Sequence, residues 1–397
     1  MKRLNLFKTA LVGGLVVVGL SSVGCSKSIK PQERKPAKLI KVDNAISVLN
    51  PVVKISLPTG GGRLLNKTAI NKKDNIDLQV GFIDRTLIAV SRTGVVGAYT
   101  LSGGKLLWSV DVGEAVTGGV AVDKDSGTVV VGTRTGKVVA IDVAKQAIRW
   151  QKTLPSSSLA PALVAHDRVM VSANDGVIYA LSTQTGHQVW QFNTQTPSVS
   201  LRGVATPLYL DEQAVVFGTA DGRIHAINPE IGRPLWNRRV GRAVGGSQVH
   251  RMSDVDGQPL IVGHHLYAVS VSGQLTGYDT TTGQTMFTAP LASAKRLATQ
   301  GSLVIGASLD GDVVAFDRIT GQKAWENSEL KYRKLTNPIA IGNHVAVGDL
   351  DGVIHVFDNT GKIISRTDTK GKLNSLHVKD RYLYTQSGDG VVAVWQF

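Results

Sequence analysis

The 397-residue chain has a single cysteine, Cys25, so no disulfide can form within it. Methionine is scarce at 4 residues, aromatics make up 6%, and no Ala/Glu/Lys/Leu tract keeps a helical period, which argues against helical bundles and helical repeats. The apolar run from Ala10 to Leu20 is too short to favour a membrane-spanning helix. Acidic residues are few, 30 against 44 Lys and Arg, giving a formal charge of +14. That excess is concentrated at one end: Lys2, Arg3 and Lys8 carry +3, residues 26–41 carry +5, and only +6 remains for the rest. The remainder holds no basic run interleaved with stacking aromatics, which argues against a nucleic-acid partner. Glycine, at 43 residues, is what the chain has in abundance, and the balance is all-β with many short strands and turns.

Residues 1–24 read as an export signal: a basic start, the apolar run, then the small residues Ser21-Ser22-Val23-Gly24. Val23-Gly24-Cys25 resembles a bacterial lipobox, with Ser22 where that motif usually has Leu. The resemblance implies a lipid-modified Cys25 as first residue of the mature chain; the alternative is ordinary cleavage nearby and a free thiol. Ser26, rather than Asp, after the cysteine resembles an outer-membrane sorting signal. Residues 25–50 are polar and basic with Pro31 and Pro36, and read as a flexible tether, either solvated or lying against anionic headgroups.

Residues 51–397 form an array of eight units. Turn glycines fall at Gly94, Gly136, Gly176, Gly222, Gly273, Gly311, Gly352 and Gly390, and six are followed fourteen residues later by Trp108, Trp150, Trp190, Trp236, Phe287 and Trp325. The seventh unit lacks one residue and has Ser365 in place of the aromatic; the eighth stops at Phe397. A period near 40 without amphipathic helices predicts an eight-bladed β-propeller of four-stranded antiparallel blades. The aromatic sits on strand four, its ring wedged between blades and any indole N–H on a polar partner. The eighth unit lacks its fourth strand, and Pro51 to Leu57 supplies one, closing the ring.

Because the glycine-to-aromatic distance is constant, length variation lies between the aromatic and the next turn glycine. The two largest such stretches, Trp190 to Gly222 and Trp236 to Gly273, are consecutive, and their surplus falls in 193–202 and 241–257. Both are links from strand four of one blade to strand one of the next, so they emerge on one face as a raised patch. Val199 and Leu201 are its apolar anchors, Arg202 its multivalent donor, and Asp254 and Asp256 its acceptors, a set suited to a protein partner. Catalysis has little support. His264-His265 begins a strand and sends its rings to opposite faces, the other histidines are scattered singly, and no metal, cofactor or Ser/His/Asp motif is present.

The repeated Ala-x-Asp-x-x-Thr-Gly-x-x-x-Trp, fullest at Ala315 to Trp325, resembles the tryptophan-docking repeat of pyrroloquinoline-quinone dehydrogenases. That resemblance implies the eight-bladed fold. Those enzymes use an adjacent-cysteine disulfide and a calcium-binding Glu/Asn/Asp set on a longer chain, whereas this chain has one cysteine. From lipobox to C-terminus the chain is more similar to the BamB family, lipoproteins of the β-barrel assembly machinery in Gram-negative outer membranes. Residues 196–203 (TPSVSLRG) and 251–256 (RMSDVD) resemble that family's two partner-contacting loops. The resemblance implies that Leu201 and Arg202, with Val199 replacing a family Leu, contact the periplasmic POTRA domains of BamA, with Asp254 and Asp256 bordering the same surface. It implies a scaffold without cofactor, lipid-anchored at the outer membrane and facing the periplasm, that assists insertion of β-barrel clients; the alternative is a quinoprotein-like enzyme.

Overall fold

In a computed structural model that describes residues 34–58, 78–195, 205–242, 252–369 and 371–397, the chain forms eight four-stranded antiparallel sheets. Seven blades take their strands in sequence order. In the eighth, Asn50–Ser56 pairs with Val391–Gln396 and supplies the outermost strand, so the two ends of the chain close the ring. The inner strands are buried on both faces and read as unbroken apolar runs, as in Thr128–Thr133 and Lys137–Asp142. Fourth strands, with one face open, alternate instead: from Leu235 to Arg239, exposed Leu235, Asn237 and Arg239 alternate with half-buried Trp236 and Arg238.

The turn glycines have a backbone reason. Gly136 has φ +89°, and a Cβ there would lie 2.7 Å from the carbonyl oxygen of Leu154. The N–H of Leu154, leaving strand four, donates to the Gly136 carbonyl at 2.8 Å. The same bond ties Val112 to Gly94, Thr194 to Gly176, Val240 to Gly222, Leu291 to Gly273, Thr369 to Gly352 and Leu57 to Gly390. Each of these links therefore starts across its own blade's turn; a Cβ would strike the link's backbone at Gly94, Gly136 and Gly222, whereas at Gly273 and Gly390 the space is open and the positive φ alone favours glycine.

The aromatics hold one blade to the next. Trp150 lies opposite Ala140 and Trp190 opposite Ala180, and the ladder slips by one residue just beyond each pair. Trp150 packs on Gly186 and Trp190 on Gly232, both in the turn between strands three and four of the next blade. Their indole N–H groups donate to the carbonyls of Thr183 (2.7 Å) and Pro229 (2.9 Å), three residues before the glycine. Phe287 packs on Gly321 in the same way but has no N–H, and the Tyr267 hydroxyl donates to the equivalent Arg318 carbonyl at 2.9 Å. Ser365 stands opposite Val356 in the aromatic's position. The next blade has no turn there for a ring to dock on, because strand three ends near Phe397 and strand four begins at Asn50. Val48, Leu49 and Phe397 join the apolar cluster at that opening. On the other side of the closing strand, Val53 and Ile55 take the aromatic's place against Gly104 of blade one.

The expected flexible tether does not extend to Asn50: Pro36 to Phe397 is one compact unit. Ala37 donates to the Lys331 carbonyl at 2.9 Å and Ile46 to that of Ile364 at 3.0 Å, while Leu39 and Val42 pack on an apolar cluster. Two arginines grip this strap by its backbone. Arg333, 5% exposed, donates to the Ala37 carbonyl (2.9 Å), Asp349 (2.7 Å) and Asp351 (2.5 Å), and Arg366 donates to the Ile40 carbonyl. Arg366 Nε also donates to His355 Nδ1 (3.1 Å), so the ring's own proton lies on Nε2, facing buried Asp349 at 3.0 Å. Burial holds His355 below its ordinary pKa; burial opposes ionisation of Asp349, but its hydrogen bonds from His355 and the Val353 N–H prevail and lower it.

Candidate partner-binding face

Strand direction alternates, so the links from strand four to the next blade's strand one leave from the same face as the turn glycines. Between the described strands these links span residues 112–115, 154–162, 194–207, 240–259, 291–297, 328–338 and 369–372. Those at 194–207 and 240–259 are the longest of this series and flank blade four, as the glycine spacing predicts. The stretch 57–80, from the closing strand to blade one, is longer still. Sequence reasoning missed it because no turn glycine precedes the first unit to mark its start.

The link at 240–259 is tied down at both ends. Val240 and Gly241 donate to the Gly222 carbonyl at 2.8 and 3.0 Å, and on the return Val255 donates to the Thr219 carbonyl at 3.1 Å. Ser270 Oγ donates to the Ser253 carbonyl (2.7 Å), the Val271 N–H to that of Asp254 (3.0 Å), and Gln258 Nε2 to that of Pro207 (3.0 Å), joining this link to the end of the preceding one. Val255, fully buried, adds an apolar plug between blades four and five.

This path changes the reading of the two aspartates. Asp254 is fully buried and Asp256 half-buried, so neither is the raised surface acceptor that the sequence suggested. Asp256 instead lines a central cavity of about 70 Å³ with Gln79, Thr206, Arg296, Asn337 and His377, one side chain from each of six blades. Burial, reinforced by Asp254 and opposed by Lys295, pushes Asp256 up to about 7. Burial, aided by Arg296, lowers His377 to about 3, so its imidazole is neutral at pH 7. A quinone does not fit this cavity, since small-molecule sites have volumes of roughly 300–1,000 Å³. Val199, Leu201, Arg202 and Cys25 lie outside the described residues. His265 opens strand two of blade five, while His264 sits in the preceding turn rather than in the strand. Among the described residues no group of three His, Cys, Asp or Glu could hold a metal.

A family model described as outer membrane protein assembly factor BamB matches residues 92–327. The outer membrane protein assembly factor BamB of Salmonella typhimurium is 30% identical, over 78% of this chain and 82% of that protein. The crystal structure of BamB from Moraxella catarrhalis superposes with a TM-score of 0.81 at 48% identity, covering 88% of this chain and all of that one. A quinohemoprotein alcohol dehydrogenase of Pseudomonas putida HK5 superposes with a TM-score of 0.66 at 13% identity, covering 92% of this chain and 78% of that one, a likeness of fold alone.

Proposed function

The chain belongs to the family of outer membrane protein assembly factor BamB, and from that premise we propose that it is a scaffold that binds the periplasmic POTRA domains of BamA and assists insertion of β-barrel proteins into the outer membrane. The relatives are named for assembly rather than for a reaction, and the chain is not an enzyme. The observation that carries the partner assignment is the pair of long links, 194–207 and 240–259, on one face at either side of blade four. A rigid ring presenting two adjacent elaborated links is a platform for docking a folded partner.

In this reading Val199, Leu201 and Arg202 make the contacts. Asp254 and Asp256 act from beneath, in the returning limb of the second link, rather than as surface acceptors. A lipid on Cys25 tethers the ring to the inner leaflet of the outer membrane, with the propeller in the periplasm. Unfolded β-barrel precursors are its further partners. The test is co-purification of BamA from detergent-solubilised outer membrane with tagged wild-type protein and with Arg202→Glu. Loss of BamA from a folded variant is expected, and undiminished recovery would remove Arg202 from the interface.

A further inference from the structure

On the opposite face the repeat is irregular. In blades three and four the turn between strands three and four has four residues before its glycine, Ser182 to Thr185 and Asn228 to Ile231. The second of these, Thr183 or Pro229, accepts the indole N–H of the preceding blade's tryptophan. Blade seven has only Asp358, Asn359 and Thr360 before Gly361. Trp325 still packs on that glycine and stacks on Phe357, with centroids 6.2 Å apart and planes at 11°. The residue that supplies the acceptor in blades three and four has no counterpart here, and Trp325 Nε1 has no hydrogen-bond partner.

Beside this shortened turn runs a groove of about 700 Å³ between blades six and seven, with Trp325 in its wall. Its polar side chains are Gln300, Ser302, Asn343, Asn359 and Thr360, and no ionisable group lines it. Gln300 Oε1, like the indole nitrogen, lacks a partner. An uncharged groove with one aromatic wall, three primary amides and two hydroxyls matches a ligand whose groups both donate and accept hydrogen bonds and carry no charge. We propose that it binds a neutral saccharide, whose hydroxyls meet the amides and whose ring lies along Trp325. A peptide is less suited, because Leu303 and Ala324 are the only apolar side chains beside the tryptophan, too few to form alternating pockets. The unpartnered indole and Gln300 atoms are almost fully covered, so contact with them requires the wall to yield, and affinity is correspondingly modest, about 1–10 mM.

The test follows the indole N–H resonances of the purified protein, with that of Trp325 identified by its loss in Trp325→Phe. Titration with the neutral tetrasaccharide of N-acetylglucosamine is expected to shift the Trp325 signal selectively. Asn343→Ala with Asn359→Ala should weaken that response at least about tenfold, leaving the other indole signals in place as a check on folding. The proposal is overturned if the Trp325 signal stays fixed to about 20 mM saccharide, if the response survives in the double variant, or if an uncharged extended peptide shifts it and the saccharide does not.

Discussion

Replacing Gly232 with Ala tests the contact that joins one blade to the next. Gly232 has φ +72°, and a Cβ there would come within 2.6 Å of Trp190 Cδ2. Two costs combine: about 1–2 kcal/mol for a non-glycine residue in the left-handed region, and about 1–3 kcal/mol for forcing a methyl against a ring that its hydrogen bond to Pro229 holds in place. The expected loss is about 2–5 kcal/mol. Gly263→Ala is the control, because Gly263 has a similar φ of +59° but nothing within 4 Å of the Cβ position. It should lose only the backbone cost, about 1–2 kcal/mol. Urea unfolding followed by tryptophan fluorescence gives both values. A second check is Trp190→Ala in the Gly232→Ala background, where the clash is gone and the two substitutions should cost less than their sum. Equal losses for Gly232→Ala and Gly263→Ala would refute the docking account.

Asp256 should make stability depend on pH. Its folded-state value of about 7 lies above the ordinary 3.8, so its contribution is fully present below 3.8 and is lost as pH rises through about 7. Asp256→Asn should therefore match wild type near pH 4 and exceed it near pH 8, by about 1–2 kcal/mol after allowance for solvent in the half-open cavity; thermal melts showing the same difference at both pH values would contradict this. A chain starting at Gly60 lacks the closing strand, leaving Val391–Gln396 as an exposed edge and Gly104 without Val53 and Ile55. Its melting temperature should drop and its tendency to self-associate rise, and an unchanged midpoint would show that the ring does not depend on closure.

What could be read from the sequence follows from which features repeat. The constant spacing from glycine to aromatic reports two contacts made again and again, the link crossing over the turn and the ring on the next turn, so blade count and closure were legible. Even the exception at Ser365 has a regular cause, since the ring opening removes the turn its aromatic would dock on. Link lengths near blade four were legible for the same reason. The strap from Ala37 was not, because its carbonyls are held by Arg333 and Arg366, roughly three hundred residues away in sequence, and bonds to a backbone leave no trace in residue type. Asp254 and Asp256 misled because an Asp-x-Asp in a loop looks solvated. The returning limb of the link carries them inward, pinned by backbone bonds to Thr219 and Val271.

The most direct measurement of the central claim is the affinity of purified BamA POTRA domains for the full-length protein, wild type against Leu201→Glu/Arg202→Glu. The account predicts saturable binding by the wild type that weakens with added salt, as an arginine-centred interface should. It predicts at least a tenfold loss, about 1.4 kcal/mol or more, in a double variant whose melting curve is unchanged. Wild-type affinity in that folded variant would contradict it.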